Sequence, residues 1–311
     1  MFTFTYLRFV LVLFLSALAV PLFAGSPVGA TAAVKPPGCI VSLSPTATNT
    51  LFDIGAGGQV QAVDEDSNYP AAALALSKKH VINALEPSTE ALLGICKKTS
   101  SYPTTKPDLV VISYDANDIQ QKLTALGIHV VLQDAATSVA NALSQIRQLG
   151  QLTGHVTTAD DLANSINSTI DRDIKSVPAH PAKKLTVYYE VGYNPYYSLT
   201  SQTFVGSLLK SLGVVNIADA DSTTADAGYP ELSAEYIVSA NPKLIFLADS
   251  VTPASVAKRT GFDKVSAVLT HNVVELNDDV SSQWGPRLGT LMNELTADVK
   301  DALNDSALWK R

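Results

Sequence analysis

The sequence predicts an α/β protein of two Rossmann-like lobes, each with a central, mostly parallel sheet, joined by one long backbone helix. Three observations carry this. Short Val- and Ile-rich runs alternate with helical patterns. The same series of elements recurs, loosely, in the second half. Between the halves lies a long stretch with apolar residues four apart.

The first elements lie in CIVSLSPTATNTLFDIGAGG, residues 39–58. It reads as a buried strand, a Ser-Pro corner, a helix and a glycine cluster. In a dinucleotide fingerprint the glycines stand between strand and helix, so that backbone N–H groups face the pyrophosphate. Here Gly55, Gly57 and Gly58 follow the helix, and Val60 stands where a third glycine would fall. Glycine just past a helix is a C-terminal cap, because it adopts positive φ without cost. Further strands are predicted at LVVIS (109–113), HVVLQ (129–133), LTVYYEV (185–191), LIFLA (244–248) and NVVELN (272–277). A helix is predicted from Ile119 to Leu126, ahead of Gly127.

The repeat runs through PSTEALLGI (87–95) followed by KPDLVVIS, and ELSAEYIV (231–238) followed by NPKLIFLA. Each copy has a serine two residues before a glutamate at the start of a helix, then Pro-x-Leu opening a strand. The first copy carries an insertion, CKKTSSYPTT, that contains Cys96. Between the copies, Leu162, Ile166, Ile170 and Ile174 make one apolar stripe, with Thr157-x-x-Asp160 as the expected cap. The expected organisation is a signal peptide at 1–32, an N-terminal lobe at 39–156, a linking helix at 157–177 and a C-terminal lobe at 184–311.

The 311 residues are 46% hydrophobic and 16% charged, a globular composition. A net charge of −7 with only scattered Lys pairs argues against a nucleic-acid partner, which needs clustered cations. Arg8, the apolar run Phe9–Ala24 and Ala30-Thr31-Ala32 have the form of a secretory signal peptide. The run is shorter than the ~20 residues of a membrane-spanning helix; retention as an anchor is the alternative. Lys35-Pro36-Pro37-Gly38 before Cys39 lacks the apolar and small residues of a lipoprotein signal. In an exported chain, the two cysteines Cys39 and Cys96 predict one disulfide. No C-x-x-C spacing is present.

Enzyme signatures are missing. There is no G-x-S-x-G elbow and no H-E-x-x-H, and His80, His129, His155, His180 and His271 lack metal-ligand spacing. Asp64-Glu65-Asp66 is an acidic run, expected in a solvated loop. No catalysis, no cofactor and no resident metal are expected. Any metal would arrive inside an organic chelate.

The chain resembles the helical-backbone substrate-binding proteins of ABC importers for cobalamin, ferric siderophores and haem. The likeness rests on IVSLSPTATNTLFDIGAGGQVQAVDEDSNYP, KPDLVV, YYEVGYNPYYSLTSQTFVGSLLKSLGVVNIA and WGPRLGTLMNEL, in that order. It covers nearly all of the chain after the signal and is nearest in character to the cobalamin branch. Two tryptophans of that branch, expected near Asn83-Ala84 and near Tyr229, are absent.

The resemblance implies a ligand held between the lobes and a glutamate on each lobe, here Glu90 and Glu235, facing arginines of the permease. Large flat ligands need aromatic walls with a few polar groups. Loop positions at strand ends supply Tyr69, Tyr193, Tyr196, Tyr197, Tyr229 and Trp284, with Arg287 for an acidic group. The expected protein is thus an exported monomer in the periplasm or cell-surface space. It would deliver a corrinoid (vitamin B12) to an ABC permease and its ATPase. A ferric siderophore or haem receptor is the alternative; a sensory module or a hydrolase is more distant.

Overall fold

Mostly apolar runs suit strands covered on both faces. The computed structural model, which describes residues 35–100, 102–179, 184–220 and 227–310, turns such runs into β1 (Ile40–Leu43), β3 (Leu109–Ile112) and β9 (Leu244–Leu247), every residue of them buried. The signal-peptide span 1–32 and His180 lie outside the described residues.

The first sheet adds β2 (Val60–Val63) and β4 (His129–Leu132) in the order β2-β1-β3-β4, all parallel. The second contains β5 (Thr186–Gly192), β6 (Tyr196–Ser198), β7 (Val215–Asn216), β8 (Glu231–Leu232), β9 and β10 (Val273–Glu275). Its order is β10-β9-β5-β6-β8, with β7 also on β5. This sheet is mixed: β9, β10 and β7 are parallel to their neighbours, while β6 runs antiparallel to β5 and β8. The cause is a tight reversal at Tyr193–Pro195, so Tyr196 and Tyr197, expected in a loop, stand on a strand.

The helices in chain order are α1 (Pro45–Asp53), α2 (Ala71–Lys79), α3 (Thr89–Leu93), α4 (Ile119–Ala125), α5 (Val139–Thr153) and α6 (Val156–Ser176). They continue with α7 (Phe204–Ser211), α8 (Ala234–Ala240), α9 (Pro253–Val256), α10 (Ser266–Leu269), α11 (Asp278–Ser281) and α12 (Leu288–Asn304). Ser44 caps α1 by accepting from the Ala47 N–H, Pro45 takes the first helical position, and Gly55 follows with φ of 90°. The glycine cluster therefore ends a helix, as its position predicts.

α6 joins the first sheet's segment to the second's. Its buried Ala159, Ala163, Ile166 and Ile170 belong to a main core shared by residues of both sheets, α1, α5 and α12. Close packing of α5 on α6 needs Gly150, where a Cβ would come within 2.3 Å of the Ala159 methyl. The expected cap Thr157-x-x-Asp160 does not form. α5 turns directly into α6 through Gly154 (φ of 81°), so the helix starts at Val156 with no side-chain cap. Asp160 is left to pair with Arg147 at 3.1 Å.

Asp64 is also not the solvated residue expected. The ladder continues one residue past β2, where the Asp64 N–H donates to the Ser42 carbonyl, and this draws the carboxylate inside. It accepts from the Asp66 N–H at 3.0 Å and lies 2.9 Å from the Ser67 hydroxyl. Burial pushes it up to about 6, against those hydrogen bonds.

Cys39 and Cys96 form the expected disulfide, fastening the start of β1 to the insertion after α3. Among the described residues no helix is long and apolar enough to cross a membrane.

Candidate ligand site

In open α/β sheets ligands bind beyond the carboxyl ends of the strands. From β2 the chain runs into Asp64–Tyr69, from β5 into Tyr193, from β9 into Asp249 and from β10 into Asn277–Asp279. The segment 279–287 then crosses to the first sheet's elements. Asp279 accepts from the Asn68 amide at 2.9 Å, and Gln283 accepts from the Asn49 amide. The Trp284 indole N–H donates to Gln145 on α5 at 2.9 Å. Gly285 lies against α1, where a Cβ would sit 2.9 Å from the Thr46 methyl. The guanidinium of Arg287 lies over the Tyr69 ring, 4.1 Å from its centroid.

These contacts place Tyr69, Trp284 and Arg287 in one neighbourhood built from both halves of the chain. Tyr69 is 43% exposed and offers an open face. Trp284 packs against the main core, and its N–H is already used.

A second group stands on the β5–β6 hairpin. Tyr193 and Tyr196 meet edge to face at 5.4 Å, and Tyr196 stacks on Phe262 at 5.9 Å. Beneath them lies Arg259, 4.2 Å from the Tyr193 centroid and bound bidentately to Glu190 at 2.6 and 2.7 Å. Glu190 is fully buried in β5 and also accepts from the Tyr188 hydroxyl at 3.0 Å. Asp249, beside this pair, is pushed up to about 6, first by burial and then by the Glu190 charge. Tyr197 is exposed on β6 opposite Glu231. Tyr229 is exposed and close enough to Tyr189 that, after burial, its phenol is what raises Tyr189 most. Among the described residues no hydrogen bond, ion pair or ring contact joins Tyr197 or Tyr229 to the Tyr69–Arg287 pair.

Sequence reasoning missed Glu190, Arg259 and Gln145. Glu190 had a signal: a carboxylate inside the apolar run LTVYYEV must find a buried partner. Among the described residues no group of three or more His, Cys, Asp or Glu could hold a metal ion.

Ser88 and Ser233 cap α3 and α8, accepting from the Ala91 and Tyr236 N–H groups at 3.3 and 3.1 Å. Glu90 and Glu235 therefore stand in equivalent first turns. Each follows its cap by two residues.

The sequence pattern of the periplasmic binding protein family matches residues 40–280. The chain belongs to that family. Its members serve ABC transporters as substrate-binding proteins and are not enzymes, and this chain is such a substrate-binding protein. It is 29% identical, over 85% of its length and 81% of the relative's, to an uncharacterized ABC transporter substrate-binding lipoprotein of Bacillus subtilis. A cobalamin-binding protein of Halobacterium salinarum is 28% identical over 80% of this chain and 66% of that one. Among solved structures, a possible iron-binding periplasmic protein of Staphylococcus epidermidis is similar with a TM-score of 0.70. It is 27% identical, covering 87% of this chain and 100% of that one. The vitamin B12-binding protein of Vibrio cholerae has a TM-score of 0.68 at 22% identity, covering 87% and 99%, and shows the fold.

Proposed function

We propose that this protein captures cobalamin or a related corrinoid outside the cytoplasmic membrane and delivers it to an ABC permease. The two lobes, 39–156 and 184–311, would flank the ligand, with the 157–177 helix limiting how far they close. The N-terminal 1–32 would direct export. Working as a single copy, the protein would present Glu90 and Glu235 to basic residues of the permease, whose ATPase supplies the energy.

The observation that carries this reading is the Tyr69–Arg287 pair, an open aromatic face backed by a cation and supplied by the two halves of the chain. With Tyr193 and Tyr229 exposed at strand ends, it suits a large flat ligand that carries polar groups. The names of the cobalamin-binding and vitamin B12-binding relatives favour the corrinoid. Haem or an iron chelate is the second reading, favoured by the 27% likeness to the possible iron-binding protein.

The test is a fluorescence titration of the purified protein with cyanocobalamin, cobinamide, haemin and several ferric siderophores, with visible spectra following co-eluting ligand. Sub-micromolar saturation by a corrinoid alone is expected. Tight binding of an iron chelate instead would replace the corrinoid and keep the family.

A further inference from the structure

We infer that Arg259 is a positioning residue of the ligand site, holding the Tyr193 ring as a fixed platform; this rests on the function proposed above. Tyr193 sits at the tip of a hairpin with half its surface in solvent. A side chain so placed ordinarily exchanges rotamers on the ps–ns scale. Here its ring is bounded by the Arg259 guanidinium at 4.2 Å and by Tyr196 edge-on at 5.4 Å.

Arg259 is itself immobile. It is 8% exposed, and both its terminal nitrogens are bound by the two oxygens of Glu190. Glu190 is anchored in turn in the middle of the second sheet by its own strand and by the Tyr188 hydroxyl. A continuous series, Tyr188–Glu190–Arg259–Tyr193, thus runs from a buried strand to an exposed ring.

Stability does not explain this arrangement. A buried ion pair is commonly no better than an apolar pair of the same shape. It does supply a planar cation at a set place. A guanidinium stacks on an aromatic face, which a lysine ammonium cannot do in the same way. The ring held by Arg259 and Tyr196 meets an incoming ligand with its rotamer already fixed. Less ordering is then needed on binding, and affinity gains.

The test has two arms. In the first, fluorotyrosine is placed at position 193 of the ligand-free protein and its ¹⁹F resonance recorded. The wild type should show a line displaced from free fluorotyrosine. In Arg259→Lys, and in the neutral double variant Arg259→Gln with Glu190→Gln, the line should move to the free value. A line unchanged in both folded variants overturns the inference. The double variant leaves no unpaired charge at Glu190, which protects against loss of fold.

In the second arm, wild type and both variants are titrated with cyanocobalamin, haemin and a ferric siderophore. The expected result is a loss of about tenfold in affinity for whichever one the wild type binds, and a smaller further loss on adding Tyr193→Ala than the same change causes in the wild type. Equal affinity in wild type and variants overturns the inference. If the wild type binds none of the three, the proposed ligand class fails, while the ¹⁹F arm still decides whether Arg259 orders Tyr193.

Discussion

The guanidinium of Arg287 lies over the ring of Tyr69, 4.1 Å from its centroid, although 218 residues separate them (287 − 69). Arg287 stands at the start of α12 and Tyr69 just beyond the end of β2, so the pair spans the two halves. Each residue orders the other, and both should count in binding. Tyr69→Ala and Arg287→Ala should each weaken ligand affinity about tenfold, or about 1.4 kcal/mol. The double variant should lose less than the sum by about 0.5–1 kcal/mol, the worth of the cation–π contact. Calorimetric titration of the four proteins measures this coupling. Strict additivity would mean the two side chains meet the ligand independently.

The disulfide is the next feature to test. It closes a span of 57 residues, and the chain-entropy account assigns such a loop about 4 kcal/mol. The bridge also lies where the first sheet starts, since the Cys39 carbonyl accepts from the Asp108 N–H at 2.9 Å. Cys39→Ala with Cys96→Ala should lower unfolding free energy by about 2–4 kcal/mol, read as an earlier urea midpoint. A shift worth under about 1 kcal/mol would mean that the insertion holds its place without the bridge.

Some features were legible in the sequence because their cause is local. β1, β3 and β9 are runs of Val, Ile and Leu broken only by Ser42 and Phe246, and the stop after α1 is a glycine with positive φ. The caps at Ser88 and Ser233 follow from residue type and spacing alone. The cysteine pair follows from parity in an exported chain. What was not legible depends on residues that meet only after folding. Arg259 and Glu190 are 69 positions apart, Asn68 and Asp279 are 211 apart, and no period links them. The same holds for Asp64, whose burial depends on one hydrogen bond that extends the ladder past β2. The start of α6 was misplaced by one residue because the turn from α5, not a side-chain cap, sets it.

Asp64 gives a pH prediction with a definite sign. Its folded value of about 6 lies above the ordinary 3.8, so between these the native state binds more protons than the unfolded chain. Stability from this group is therefore greatest below about pH 4, falls as pH rises, and is at its lowest above about pH 6. The deficit at neutral pH is about 2–3 kcal/mol. Asp64→Asn keeps an acceptor for the Asp66 N–H and removes the titration. Relative to wild type, the variant should gain stability steadily between pH 4 and pH 7 in urea unfolding. Taking the difference between the two proteins removes Asp249 and Asp298, which are raised into the same range. A difference that does not change with pH would show that Asp64 titrates alike in the folded and unfolded states.

Glu90 and Glu235 separate delivery from capture. Each stands in the first turn of a short helix capped by a serine. Two roles are open to such a carboxylate: complementing the helix dipole, worth about 0.3–1 kcal/mol, or pairing with an arginine of the permease. The roles differ in what their loss affects. If the dipole is all, alanine at both positions lowers stability slightly and leaves uptake intact. If docking is the role, uptake is lost while affinity for the ligand stays at the wild-type value, because the carboxylates engage the permease and not the ligand. We expect the second result for Glu90→Ala with Glu235→Ala, and a partial loss for each alone, since one glutamate still engages one side of the permease. Transport into cells or proteoliposomes, run beside a binding titration of the same preparations, distinguishes them. Weakened binding with normal uptake would instead move both glutamates out of the docking surface and into the ligand site.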